Sequence, residues 1–366
     1  MKNAITFALV LAAMVLFLQP GHWAMIAALL LMIVVHEFGH WFLARIFGFK
    51  TPVFSVGFGS SPRLYLGKFW ETEFQLTPWL AGGYVKIDPT DADFTSKAAW
   101  KRALVLVGGV TMNVLTVVVL SFLLFTTVGE RSFVPSAVQV QATDNTVTIA
   151  RDAGLRAGDK FVSVDGVAVH SAQELAKDLK AHANGTVAHV VVNRGGADMA
   201  VDVTPNADGR VGVALAEQYT ASYHKYGIVD GATRSVAFTY EAGAGMVKGL
   251  GMMLHIVPLP QGAPAGAADV HGIVAIVQIG AMAFNDGLYS FVMLVCMISM
   301  NLAFFNILPI PMLDGGHLLF LGIEKLRGKP MNPEIQGRLS MIFLFLLLSL
   351  FAYGLFNDLF NPVRFK

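Results

Sequence analysis

Two histidines four residues apart, His36 and His40, enclose Glu37 in the run His36-Glu37-Phe38-Gly39-His40. On a helix this spacing puts both imidazoles on one face, one turn apart, where they can share a single zinc ion. The glutamate is left beside the ion, placed to act as general base in a hydrolysis. Met25-Ile26-Ala27-Ala28-Leu29-Leu30-Leu31-Met32-Ile33-Val34-Val35 precedes the run and Trp41-Phe42-Leu43-Ala44 follows it. Ionisable side chains at membrane depth are costly, so their presence in such a stretch points to function. The competing reading is structural, with polar side chains bridging packed helices. A catalytic zinc site commonly has three protein ligands and an open position for water. Asp314 is the candidate for the third, in Asn306-Ile307-Leu308-Pro309-Ile310-Pro311-Met312-Leu313-Asp314-Gly315-Gly316-His317. Pro309 and Pro311 break a helix there and Gly315 and Gly316 permit a sharp turn. His317 is the competing ligand.

These residues must be held by membrane helices. Of 366 residues 55% are hydrophobic and only 14% charged, which excludes an ordinary soluble protein. The 26 basic and 25 acidic side chains nearly cancel, and no basic run suggests a nucleic-acid face. Cys296 is the single cysteine, so neither an internal disulfide nor a thiolate metal cluster can form. Four apolar segments, 22–47, 104–128, 291–308 and 339–356, are expected to span the bilayer. The run 5–18 predicts an additional N-terminal membrane helix, with a signal-peptide core as the alternative. Arg45 and Lys50, then Lys97, Lys101 and Arg102, then Lys325, Arg327 and Lys329 fall on one side if each segment crosses once. That side is expected to be cytoplasmic, leaving residues 129–290 outside.

Four regions follow: a membrane region over 1–128, a soluble domain over 130–217, a linker and amphipathic segment over 218–290, and a second membrane region over 291–366. Within the first, residues 51–99 contain strand-like pieces at 53–59 and 73–86 that read as a β-hairpin. In the soluble domain, Ala153-Gly154-Leu155-Arg156-Ala157-Gly158-Asp159 leads to a strand, and Asp165-Gly166 supplies a tight hairpin turn. Ser171-Ala172-Gln173-Glu174 is a capping box that opens a helix to about His182. Strands over 186–193 and 199–203 complete an order that resembles a PDZ domain, a fold that binds peptides by strand addition beside a helix.

The membrane-embedded H-E-F-G-H together with the late N-x-L-P-x-P-x-L-D-G-G resembles the site-2 protease family, in particular its bacterial RseP-type intramembrane zinc metalloproteases with a periplasmic PDZ insertion. The likeness covers about 22–358. It implies a polytopic α-helical membrane protein of the inner membrane, with four core transmembrane helices, a membrane-reentrant β-hairpin and an inserted PDZ-like α+β domain. It implies zinc on His36, His40 and Asp314 and water activation by Glu37. Asn306, Pro309 and Pro311, with Gly57, Gly59 and Gly83 of the β element, would contact the substrate. That substrate would be a single-span membrane protein, such as an anti-sigma factor or a remnant signal peptide, met within membrane lipid. Gly108-Gly109 stands where those proteases usually carry Gly-Pro, and His271-Gly272 likewise. Two other classes compete: a non-catalytic membrane chaperone or quality-control factor using the same groove, and a metal transporter. Glu37 argues against the first, since only catalysis needs that carboxylate; the soluble insertion argues against the second.

Overall fold

The computed structural model describes residues 18–59, 63–87, 92–144, 147–254, 256–258 and 272–360. The predicted helix at 5–18 falls almost wholly outside them. The chain divides into two compact units, one made of Met1–Val128 with Tyr226–Lys366 and the other of Gly129–Lys225.

Among the described residues of the first unit, four helices are long and apolar enough to cross a membrane: α1 (Pro20–Ile46), α4 (Gly108–Thr127), α9 (Leu288–Ile307) and α11 (Pro333–Phe360). Their ends differ from the apolar runs by a few residues: α11 extends past its apolar part at both ends, whereas residues 104–106 belong to a separate short helix that precedes α4. Between α1 and α4 lie β1 (Val53–Phe58), β2 (Leu64–Phe69), β3 (Thr72–Leu76), β4 (Trp79–Val85) and the short helices α2 (Ala92–Thr95) and α3 (Ala99–Leu106). The expected hairpin is in fact a four-stranded sheet in the order β2-β3-β1-β4. Its centre is a parallel β1–β3 pair, with β4 antiparallel to β1 at one edge. Sequence pattern missed β2, whose residues are mostly exposed on both faces and so do not alternate.

Beyond the inserted unit, α7 (Ile228–Met253), α8 (Ile273–Asp286) and α10 (Asp314–Arg327) complete the helices. Within residues 218–290 the described chain is thus helical over 228–253 and 273–286. Phe238 and Ala242 of α7 share a buried core with Val117, Phe125, Cys296 and Met300 of α4 and α9. Helix α8 lies against α1, where a Cβ added at Gly280 would meet Met25 at 2.2 Å. The N-cap residue of α8 is Gly272, which has no side chain to offer. Asp358 of α11 supplies the cap instead, accepting from the backbone N–H groups of Gly272, Val274 and Ala275 at 2.8, 3.0 and 3.1 Å. Asp358→Ala would leave three amides without that acceptor, an expected loss of about 2–3 kcal/mol. An unchanged thermal midpoint in detergent would refute this.

In the second unit β5 (Glu130–Thr143), α5 (Ile149–Asp152), β6 (Lys160–Val164), β7 (Val167–Ala168), α6 (Ala172–Ala181), β8 (Ala188–Arg194), β9 (Ala197–Val203) and β10 (Val213–His224) build one sheet. Its order is β10-β5-β6-β8-β9, with β7 paired to β6. The Asp165-Gly166 turn has positive φ at both residues, 48° and 79°, as a tight hairpin requires. Ser171 and Glu174 form the capping box of α6. The long β5–β10 ribbon carries the unit past the expected end at residue 217 to His224, where bulges in the pairing interrupt the alternation.

Asp159 is buried in this unit, where Arg194 donates Nε and Nη2 to its two oxygens at 2.7 Å each and the Arg156 amide donates at 2.8 Å. The Arg194 guanidinium, helped by that amide, holds the Asp159 carboxyl below the usual carboxylate range. A lowered folded-state pKa stabilises above the unfolded value of about 3.9 and ceases to do so as pH falls through the folded one. Amide protection in this unit, taken relative to the intrinsic exchange rate at the same pH, is therefore expected to fall below about pH 4. Asp159→Asn should lose about 2 kcal/mol at neutral pH and flatten that acid limb. A variant as protected as the wild type at pH 7 would contradict it.

Candidate active site

Helix α1 stacks His36 and His40 with ring centroids 4.9 Å apart and the rings nearly perpendicular. Both are buried, at 7% and 9% exposure. After α9 ends at Ile307, the linker carrying Pro309 and Pro311 turns back, and α10 opens at Asp314. Met312 takes φ 83°, an uncommon conformation for a side chain of its size. The first turn of α10 packs so closely on this linker that a Cβ at Gly315 would lie 2.2 Å from the Ile307 carbonyl, and one at Gly316 2.2 Å from that of Ile310. The two glycines thus seat the carboxylate.

Three donor atoms converge. His36 Nε2 and His40 Nε2 are 3.3 Å apart, and Asp314 Oδ2 is 3.3 Å from the first and 3.2 Å from the second. Zinc with ligands at about 2.0–2.1 Å in tetrahedral array needs donors roughly 3.3–3.4 Å apart, so the triangle has the right size. Its chemistry fits as well. His40 Nδ1 lies 2.8 Å from the Val105 carbonyl, which can only accept. A ring proton is therefore on Nδ1, which leaves Nε2 as the ligating atom when the imidazole is neutral. Asp314 Oδ2 is buried with no hydrogen-bond partner. With both rings neutral and their protons on Nδ1, three lone pairs would face one another at this distance, an arrangement that a cation among them would stabilise. Among the described residues, this His36–His40–Asp314 group can bind a metal ion; His317 does not belong to it.

Sequence reading did not find the supports of the two imidazoles. The Asn113 carboxamide of α4 approaches His36 Nδ1 at 3.2 Å, and its Oδ1 is buried without a partner. With metal on Nε2 the His36 proton sits on Nδ1 and must be donated. Turning the carboxamide by 180° presents Oδ1 as acceptor and satisfies both atoms. The available signal was an asparagine inside an apolar span. Helices α1 and α4 cross at glycines, where a Cβ at Gly39 would be 2.2 Å from the Gly108 carbonyl. A Cβ at Gly109 would be 2.4 Å from His40 Nε2 and 2.7 Å from His36 Nδ1.

Glu37 accepts a hydrogen bond from the Val85 amide of β4 at 3.0 Å. The Lys86 amide bonds back to Val53, so the Phe54–Val85 pair is a non-hydrogen-bonded one. Val85 and, two residues earlier, Gly83 therefore aim their N–H and C=O groups away from β1. Gly83 is brought against Glu37, since a Cβ there would be 3.3 Å from Glu37 Cγ. Gly57 lies near the far end of β1 and Gly59 just past it. Asn306 donates to the Leu302 carbonyl one turn back on α9 at 3.0 Å.

Comparison with known proteins covers most of the chain. Residues 24–350 match the model of Peptidase family M50. Proteins named "Putative zinc metalloprotease" resemble it over most of its length: one from Nostoc sp. is 31% identical, covering 89% of this chain and 92% of its own. Another from Mesorhizobium japonicum is 30% identical over 91% and 96% respectively, and one from Campylobacter jejuni 25% over 98% of both. The chain belongs to peptidase family M50. It is a multi-pass membrane zinc metalloprotease that acts on membrane proteins.

Proposed function

We propose that the chain is an intramembrane endopeptidase that performs site-2 cleavage of single-span membrane proteins, with zinc on His36, His40 and Asp314 and Glu37 as general base. The observation that carries the reading is the convergence of the three lone-pair atoms within 3.3 Å, two of them on a helix apolar enough to cross a bilayer. Zinc bound there would polarise the scissile carbonyl and ease deprotonation of the attacking water. Glu37 takes the proton from that water and passes it to the leaving amide nitrogen. The Val85 amide holds the Glu37 carboxylate in place, and Val105 and Asn113 hold the imidazoles.

A helical substrate has its carbonyls tied in i to i−4 bonds and must unwind before attack. The edge of β4 supports a place for the unwound segment: Gly83 offers outward backbone groups beside Glu37, and its lack of a side chain lets another strand come close. Gly57 and Gly59 at the end of β1, and Asn306, Pro309 and Pro311 ahead of Asp314, would contribute further substrate contacts.

The Gly129–Lys225 unit we read as a PDZ-like domain that screens substrates. A groove of about 560 Å³ between α6 and the edge strand β10, lined by Leu175, Leu179, Val213 and Leu215, supports that reading. The basic clusters support an inner-membrane orientation with this unit in the periplasm. Substrates of the anti-sigma-factor or remnant-signal-peptide type, already shortened outside, fit a protease of this kind. Co-reconstitution in liposomes with a tagged single-span protein lacking its outer domain tests the reading. The expected product is a cut inside the span that disappears when zinc is chelated. Cleavage confined to soluble peptides would overturn it.

A further inference from the structure

We propose that the buried ion pair Arg102–Glu324 is a positioning device for the metal site, setting the register between the helix that orients His40 and the helix that delivers Asp314. The inference rests on the reading of His36, His40 and Asp314 as the zinc ligands. Arg102 lies on α3, three residues before Val105, whose carbonyl fixes the His40 ring. Glu324 lies on α10, ten residues after Asp314 and therefore about 15 Å along the same rod. Nothing in the local sequence links the two, which are 222 residues apart. Their contact is a fork: Nη1 to Oε2 at 3.0 Å and Nη2 to Oε1 at 2.6 Å. The Arg102 side chain is 7% exposed and that of Glu324 21%.

Two parallel bonds between planar groups fix rotation as well as separation, which a single contact does not. The neighbouring apolar core of Ala44, Val105, Leu106 and Leu321 holds α1, α3 and α10 together, but apolar burial has no direction and tolerates sliding. The triangle of donors does not tolerate it, because its edges must stay within a few tenths of an ångström to close on one ion. A buried ion pair contributes little net stability over a well-packed apolar replacement, since desolvation offsets the attraction. The contribution of the fork is therefore to register, and through it to metal affinity.

The experiment compares zinc affinity, by chelator competition on the full chain in detergent, with the thermal midpoint of the same samples. Arg102→Met with Glu324→Leu removes both charges and leaves none unpaired. It should fold with a midpoint near wild type yet bind zinc about 10- to 100-fold more weakly, as loss of an outer-sphere support does. Arg102→Lys, which keeps the charge but not the fork, should fall between. Arg45→Met with Glu71→Leu, which removes a pair whose Glu71 is 82% exposed, should leave zinc affinity unchanged. Zinc affinity within twofold of wild type in the Met/Leu variant overturns the proposal, and so does its failure to fold, which would make the pair a stability element. Wild-type protein that holds no zinc would instead overturn the underlying reading of the ligands, so the two failures are distinguishable.

Discussion

Gly109→Ala should strip the enzyme of its zinc. A methyl group there would lie 2.4 Å from His40 Nε2 and 2.6 Å from His36 Cε1, against an ordinary van der Waals contact of 3.4 Å or more. Either α4 retreats by about an ångström, taking Asn113 from His36 with it, or both rings rotate out of the donor triangle. Both outcomes open the site. We expect zinc affinity to fall at least ~100-fold, the upper end of what losing an outer-sphere support produces, and activity at limiting zinc to vanish with it. Gly249→Ala on α7 is the control, since a Cβ there meets nothing within 4 Å and alanine favours a helix. Wild-type zinc affinity in the Gly109 variant would show that the two helices do not cross as described.

Glu37→Gln should separate chemistry from metal binding. Glutamine keeps the size of the side chain and an oxygen for the Val85 amide, so the seat on β4 survives. What it loses is the ability to take a proton. Cleavage should drop by about 10⁴-fold, the upper end of a general-base contribution. Zinc content and thermal midpoint should stay at wild-type values, and full-length substrate should accumulate on the inactive protein. A variant that still cut at more than a few per cent of the wild-type rate would remove Glu37 from the proposed role.

Much of this site was legible because it is written locally. The i, i+4 histidines lie on one helix face whatever the rest of the chain does, and Pro309, Pro311, Gly315 and Gly316 announce a helix break and a tight return around Asp314. In the Gly129–Lys225 unit the Asp165-Gly166 turn and the Ser171–Glu174 capping box are equally local. Long-range pairing was not legible. Residues 53–59 and 73–86 have the local pattern of a hairpin, but their central strands run parallel and an almost fully exposed strand joins them. Residues 273–286 carry no local signal of a partner, and only the fold shows that small side chains let that helix lie against α1. Arg102 was counted only as a basic flank, because its partner Glu324 lies two hundred residues on. Asn113 was visible as a polar residue in an apolar span, yet only the fold shows which imidazole it faces.

The most direct test is zinc per chain, measured after extensive dialysis on purified wild-type protein and Asp314→Ala. If Asp314 closes the site, wild type retains about one ion and the variant close to none, because two imidazoles alone are short of the three protein ligands such a centre takes. A full equivalent of zinc retained by the variant would mean that the carboxylate is no ligand, and the proposed metal centre would fall.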